Sequence, residues 1–420
     1  MILHRIDKNG KIMNFTIKRK TALLFMSIVF IISCKSLNFN NNKAVFQSIE
    51  NQYSIMIKHI ADSPFNPRSV NKDNKLKLVP PKDWTSGFFP GALWYLYEYS
   101  KNNKWEKYAR KFTERLEQEK LNGSTHDMGF KMFCSFGNGY RLTGDKNYKE
   151  ILLQSAKTLS QRFNAKVGCI RSWDFNKDVW QFPVIIDNMM NLELLFWATK
   201  VSGDSLYYNI AVSHANKTME NHFRSNYSSV HVVNYDTLTG KVISKETHQG
   251  YSDNSAWSRG QAWGLYGFTM CYRETGYKKY LLQAENIANF ILTNKNLPDD
   301  GIPYWDFDAP GIPNEPRDAS AAAIIASALY ELSLLENDNS RSKYYKKFAD
   351  KILLSLSSEN YFSKEGNYGF ILRHSVGNKP KNSEVDVPII YADYYFIEAN
   401  LRRLKNGKKH SMKSSSFIKK

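Results

Sequence analysis

The sequence predicts an all-α fold, an (α/α)6 barrel built from six helix hairpins, and three observations carry that prediction. First, one kind of turn recurs: Thr143-Gly144-Asp145-Lys146-Asn147-Tyr148, Ser202-Gly203-Asp204-Ser205-Leu206-Tyr207 and Thr275-Gly276-Tyr277-Lys278-Lys279-Tyr280, with looser versions at Ser100–Tyr108 and Asn337–Tyr345. Each closes one helix on Gly or Asn, passes a short polar turn, and opens the next helix near an aromatic. With a last helix expected near 388–403, the five turns make six hairpins. Second, the units differ in length, whereas solenoid repeats keep a near-constant one. Third, the long insertions all fall between an outgoing helix and the next incoming one. That gathers them on one side, over the mouth of a closed barrel.

A chain of 420 residues, 42% hydrophobic and 14% aromatic, is long enough to bury a sizeable core. The net charge of +18 is concentrated at the ends: residues 1–33 carry +5, residues 401–420 carry +8, and everything between carries +5. The basic excess therefore belongs to two tails rather than to a nucleic-acid stripe, and no helix-turn-helix, zinc-finger or RNP pattern accompanies it. No nucleic-acid partner is expected.

In chain order, residues 1–34 read as a signal peptide, with Met1 or Met13 as the start. A basic segment, Asn14 to Lys20, precedes an apolar run from Ala22 to Ile32 that is too short to span a bilayer comfortably. The run ends Ile31-Ile32-Ser33-Cys34, which resembles a bacterial lipobox. Cys34 is then the lipidation site, and the protein is expected in the periplasm or at the outer membrane, touching the membrane only through its lipid anchor. An ordinary signal peptide with an incidental Cys is the alternative. Residues 35–43 form an Asn- and Ser-rich tether, 44–403 the barrel domain, and 404–420 a basic C-terminal tail. Within the domain a helix is expected over about 44–62. Pro64, Pro67, Pro80 and Pro81 then impose an irregular approach. Cys134, Cys169 and Cys271 match no zinc spacing and read as small buried residues.

The residues ahead of each incoming helix converge at the mouth. Trp84-Thr85-Ser86-Gly87 opens the first, Thr125-His126-Asp127-Met128 the second and Ile186-Asp187-Asn188 the third. Asp253 to Trp263 opens the fourth, Pro316-Arg317-Asp318 the fifth and Glu384-Val385-Asp386 the sixth. Converging helix N-termini present free N–H groups and partial positive charge, which favours an anionic ligand. Trp84, Trp173, Trp180, Trp257, Trp263 and Trp305 lie in or beside these segments. Acids and aromatics in one cleft are the make-up of a carbohydrate site.

Asp127 and Asp187 open consecutive helices, so neighbouring walls bring their carboxyls toward each other. Two close acids separate in pKa, and one stays protonated and able to donate at neutral pH. The same placement serves a plain N-cap, and spacing alone leaves both readings open. Asp253, Asp318 and Asp386 are expected to be caps only. His231 sits in a strand-like alternation and either orients a carboxylate or fills a structural place. Arg259, between Trp257 and Trp263, is placed to clamp a carboxylate or to stack on an indole. Gln249 lies on a loop over the mouth. Arg373-His374-Ser375 with Lys379 is either a rim for sulfate or a distal sugar, or a solvated loop.

Four motifs in order carry a family resemblance. They are Trp84–Gly91 with Leu93-Trp94; His126-Asp127-Met128-Gly129-Phe130; Ile186-Asp187-Asn188-Met189-Met190-Asn191; and Trp257-Ser258-Arg259-Gly260-Gln261-Ala262-Trp263. Together they resemble glycoside hydrolase family 88, the unsaturated glucuronyl hydrolases, over residues 45 to 403. The resemblance implies an (α/α)6 barrel, no metal and no cofactor. It implies oligosaccharides from polysaccharide lyases as substrates, of glycosaminoglycan or ulvan type, with a 4,5-unsaturated uronic acid at the non-reducing end. It also implies hydration of the C4=C5 bond rather than attack at C1, which removes the usual two-carboxylate test of stereochemistry. By the same resemblance Asp187 matches the general acid/base and Asp127 the second essential acid. His231, Gln249 and Arg259 match contacts to the uronate, and Trp173, Trp257 and Trp263, with Trp84, match the pocket walls. The Arg373–Lys379 stretch departs most from the family pattern; Ser375 and Lys379 are compatible with a sulfate-binding cluster. An unsaturated rhamnogalacturonyl hydrolase of a sister family and a non-catalytic glycan-binding surface lipoprotein are the competing readings.

Overall fold

The computed structural model describes residues 42–417 and, ahead of them, two antiparallel strands, Ile2–Ile6 and Ile12–Thr16. The apolar run at 22–32, Cys34 and most of the expected tether lie outside the described residues.

Among the described residues twelve α-helices alternate between an outer and an inner ring. The outer ring holds α1 (Asn42–Ile60), α3 (Asn103–Glu114), α5 (Lys146–Ser160), α7 (Ser205–Asn221), α9 (Lys278–Leu292) and α11 (Asn339–Leu356). The inner ring holds α2 (Phe88–Ser100), α4 (Asn138–Thr143), α6 (Leu192–Ser202), α8 (Ser258–Thr275), α10 (Ala319–Leu335) and α12 (Ile390–Phe417). A π-helical segment, Gly129–Gly137, leads into α4, and a 3₁₀ turn, Ile186–Asn191, leads into α6. Burial separates the rings. α8 is buried from Ser258 through Cys271 and α10 from Ala319 through Ser333, whereas α9 and α11 bury one stripe each. A helix apolar or small on every side needs cover on every side, which only the inner ring supplies. α12 packs on both α10 and α2 and so closes the ring. α1 then completes the outer layer: Phe46 stacks on Tyr99 with centroids 3.6 Å apart, and Gln52 donates to the carbonyls of Ser363 and Phe370.

The recurrent turns join an inner helix to its outer partner. Gly144, Gly203 and Gly276 take φ near +70 to +79° as left-handed C-caps, a conformation that a Cβ penalises. Asn102, Asp145, Asp204 and Asp338 then cap the outer helices by accepting backbone N–H groups. All long returns therefore lie at the opposite end, the mouth.

Three local expectations differ from the structure. The proline-rich approach contains an antiparallel pair, Asn66–Val70 with Leu76–Val79. The strand after His231, Val232–Tyr235, does not alternate; all four of its residues are buried, because one apolar cluster holds Val233 and Tyr235 and another holds Val232. The last helix continues past 403 to Phe417. Cys134 is half-buried, Cys169 and Cys271 are buried, and all three are free. Among the described residues no helix is long and apolar enough to cross a membrane.

Candidate active site

Asp187 is delivered to the mouth by a strand and a tight turn. Pro183–Ile185 pairs with Val232–Tyr235, and the N–H of Ile186 continues the ladder to the carbonyl of His231 at 3.1 Å. The chain then enters the 3₁₀ turn that carries Asp187. Two amides fix this turn. Asn188 donates to the Ile170 carbonyl at 2.8 Å, and Asn191 accepts the backbone N–H groups of Gly129 at 2.8 Å and Phe130 at 3.3 Å. The second contact ties the Asp187 segment to the Asp127 segment. It also requires Gly129: a Cβ there would stand 2.6 Å from the Asn191 Cα.

Neither acid caps a helix. Oδ2 of Asp187 is buried with no hydrogen-bond partner, and no side chain caps the turn or α6. Asp127 accepts the Thr125 hydroxyl at 2.6 Å on Oδ2 and faces His126 Nε2 at 3.2 Å on Oδ1. His126 Nδ1 faces the Asn191 side-chain amide at 3.4 Å; accepting there leaves Nε2 as the protonated nitrogen that meets Asp127. Of the three acids expected to be caps only, Asp318 is one, accepting from Ser320 and Ala321. Asp253 and Asp386 are not: Asp253 accepts the Thr247 N–H at 2.8 Å, and Asp386 lies within the strand Ser383–Val387, 2.6 Å from His374 Nδ1.

Burial raises the Asp187 carboxyl to about 7; the charge of Asp127 adds to the rise, while Arg259 and the Trp263 indole N–H oppose it. A carboxyl in that range holds a proton for an acceptor at neutral pH. Its neighbour is His231, whose Nε2 lies 3.7 Å from Asp187 Oδ2. His231 Nδ1 accepts the backbone N–H groups of His248 and Gln249, both at 3.1 Å. Burial holds the imidazole well below its usual pKa, so the ring is neutral with its proton on Nε2, aimed at the acid.

The other expected residues fall at several depths. Trp257 is buried, 4.6 Å by ring centroid from His231 and under the Arg259 guanidinium at 4.6 Å. Trp263 is fully buried beside Phe130, and its indole N–H acts on the Asp187 carboxyl from beyond hydrogen-bond distance. Trp173 is half-buried, edge-on to His231 at 5.8 Å and stacked on Phe175 at 4.9 Å. Trp84 is half-buried against Phe88, Phe130 and Tyr391. Arg259 is 1% exposed and spends its guanidinium on the chain: NH1 on Asp318 at 3.2 Å and on the Val376 carbonyl, NH2 on the Gly377 carbonyl at 2.6 Å. Gln249 reaches the same Gly377 carbonyl at 3.3 Å. The segment they hold, Ser375–Asn378, is a strand paired with Ser383–Val387, so it is not a solvated loop. Ser375 is fully buried with an unpartnered hydroxyl, and the Lys379 ammonium lies over Trp305 at 6.0 Å.

Sequence reasoning assigned no site role to His126, Asn188, Asn191, His248 and Phe175. Asn188 and Asn191 carried a signal: two amides beside an acid in an otherwise apolar run. Among the described residues no group of three or more His, Cys, Asp or Glu is placed to hold a metal.

A profile described as Glycosyl Hydrolase Family 88 matches residues 57–403. The chain is 50% identical over 394 residues to an unsaturated glucuronyl hydrolase of Formosa agariphila, covering 91% of this chain and 97% of that one. It is 32% identical over 371 residues to an unsaturated chondroitin disaccharide hydrolase of Streptococcus agalactiae, covering 87% and 91%. A crystal structure of an unsaturated glucuronyl hydrolase specific for heparin matches with a TM-score of 0.83 at 50% identity, covering 86% of this chain and 97% of that one.

Proposed function

Because the chain belongs to Glycosyl Hydrolase Family 88, we propose that Asp187 is its general acid and then its base, and that Asp127 positions the sugar and tunes Asp187. The chain is a glycosidase that removes the 4,5-unsaturated uronic acid from the non-reducing end of lyase-generated oligosaccharides by hydrating the C4=C5 double bond.

The observation that carries the residue assignment is the buried Asp187 carboxyl, unpartnered at Oδ2 and raised to about 7. In the protonated form it gives its proton to C4. The positive charge that develops at C5 is shared with the ring oxygen. Water adds at C5 and returns a proton to the Asp187 carboxylate, so the net change is one water across the double bond. The C5 hemiketal then opens, C1 becomes a hemiacetal, and the second sugar leaves as its free alcohol. Asp127, already holding the Thr125 hydroxyl and the His126 imidazole, is fixed in direction before substrate arrives. The neutral His231 Nε2–H points into the same space and steadies the carboxylate as it forms.

The favoured substrates are unsaturated glycosaminoglycan fragments, a choice supported by 50% identity to the heparin-specific enzyme. Ulvan-type fragments, which end in the same unsaturated sugar, belong to the same class. Export as a lipoprotein acylated at Cys34 is supported by the apolar run and the lipobox-like ending; palmitate labelling that Cys34→Ser does not abolish would contradict it.

The test follows the ultraviolet absorbance of the C4=C5 enol ether with unsaturated disaccharides from heparin, chondroitin and ulvan. Loss of absorbance with release of the free second sugar is expected, fastest on a glycosaminoglycan disaccharide. Stable absorbance on all three would contradict the reading.

A further inference from the structure

The inner helices run in one direction, with N-termini at the mouth and C-termini at the base. The base is not filled. A cavity of about 550 Å³ lies among the last turns of the inner helices and reaches up to Gly129, Phe130 and Met190, behind the segments that carry Asp127 and Asp187. None of the mouth residues assigned above lines it.

Its chemistry differs from that of the mouth. Five Glu side chains face five Lys or Arg side chains around it, so the formal charges balance. The converging helix C-termini add partial negative charge. An anionic uronide is disfavoured there, and so is a purely apolar ligand, which would strip water from ten charged groups. One wall is aromatic: Trp197 meets Tyr140 at 5.6 Å and Phe133 at 6.0 Å, and all three rings are half-buried, leaving surface open to the cavity. Along α6, Glu193, Trp197 and Lys200 share one face at i, i+4 and i+7. Lys200 pairs with Glu274, and of the three groups only Trp197 lacks a polar partner. The Trp197 indole N–H makes no hydrogen bond among the described residues. Glu193 shares the single Arg273 guanidinium with Glu274 and Glu331; burial, and then the crowd of carboxylates, raises its carboxyl against the pull of Arg273.

We propose that this cavity is a second saccharide site, separate from the catalytic mouth, for a neutral mono- or disaccharide. The aromatic wall takes the C–H face of the sugar ring, Glu193 accepts from hydroxyls, and the Trp197 N–H with the Lys200 ammonium donates to ring and hydroxyl oxygens. The volume suits one or two sugar rings. The site stands whether or not Asp187 is the acid at the mouth.

The full chain, labelled with ¹⁵N at its 9 tryptophans, is titrated with glucose, N-acetylglucosamine and cellobiose, with glucuronic acid as the anionic control. Trp197→Phe identifies the Trp197 indole signal by its disappearance. A saturable shift of that signal with a neutral sugar is expected, a smaller one with glucuronic acid, and binding about tenfold weaker in Glu193→Gln. Turnover of an unsaturated disaccharide by Trp197→Phe is expected to match the parent. Should Trp197→Phe lose spectral dispersion, Glu193→Gln alone carries the comparison. A Trp197 signal unmoved by every neutral sugar, a glucuronic acid response as large as theirs, or affinity unchanged in Glu193→Gln overturns the proposal.

Discussion

His231 directs Nε2 at Oδ2 of Asp187 across 3.7 Å while two backbone N–H groups, from His248 and Gln249, occupy its Nδ1. The backbone thus sets the tautomer, and the ring faces the acid as a neutral N–H beyond hydrogen-bond distance rather than as a counter-ion. An N–H dipole turned toward a carboxylate favours its charged form. We expect His231→Ala to lower kcat about tenfold to a hundredfold through lost positioning, and to move the alkaline limb of the pH–rate profile upward. A limb that stays in place with unchanged kcat would assign His231 a packing role only.

The acid at the mouth works in its protonated form. With Asp187 raised to about 7, kcat/KM should be level below that pH and fall as pH rises through it. The Asp127 charge contributes to the rise, so Asp127→Asn should shift the limb to lower pH while reducing the maximum rate. The profile is measured with a saturated-aglycone control for absorbance drift. A limb that moves upward in Asp127→Asn would contradict the coupling.

The same shift has a stability cost. Asp187 keeps its proton in the folded chain up to about 7, whereas an unfolded Asp releases it near about 4. Between those values the unfolded state binds fewer protons, so stability falls as pH rises, and the full penalty is present above pH 7. Asp187→Asn removes the buried charge. Its melting temperature should exceed that of the parent at pH 8 and converge with it near pH 4. The opposite order would mean that the folded carboxylate is better solvated than its burial indicates.

Arg259 is a structural clamp as well as a charge beside the acid. It joins α8 to Asp318 at the start of α10 and to the carbonyls of Val376 and Gly377. Arg259→Met leaves Asp318 buried without its cation, at about 3–5 kcal/mol. We expect a large fall in melting temperature, and little rescue by Arg259→Lys, since an ammonium cannot match the planar fork that reaches two carbonyls. Parent-like melting of either variant would contradict the clamp.

Much of the barrel was legible from one-dimensional signals. Gly144, Gly203 and Gly276 mark the base turns because a left-handed cap needs glycine there, and Asp145, Asp204 and Asp338 mark the next helix starts. The mouth was legible as a set of segments but not as an arrangement. An Asp before a helix looks alike whether it caps, like Asp318, or stands unpartnered, like Asp187; the difference lies in whether its side chain turns back to the backbone. The Asn191 bridge to Gly129 and the Arg259 bridge to Val376 join residues 62 and 117 positions apart. Neither periodicity nor spacing encodes such pairs. The π-helical Gly129–Gly137 was equally invisible, since its residues differ little from an α-helical set.

The most direct measurement is turnover of an unsaturated glycosaminoglycan disaccharide by Asp187→Asn, with circular dichroism and melting as controls for the fold. We expect a loss of about a thousandfold or more in a chain that remains folded. A folded Asp187→Asn variant with near-normal loss of enol-ether absorbance would contradict the assignment of Asp187 as the acid.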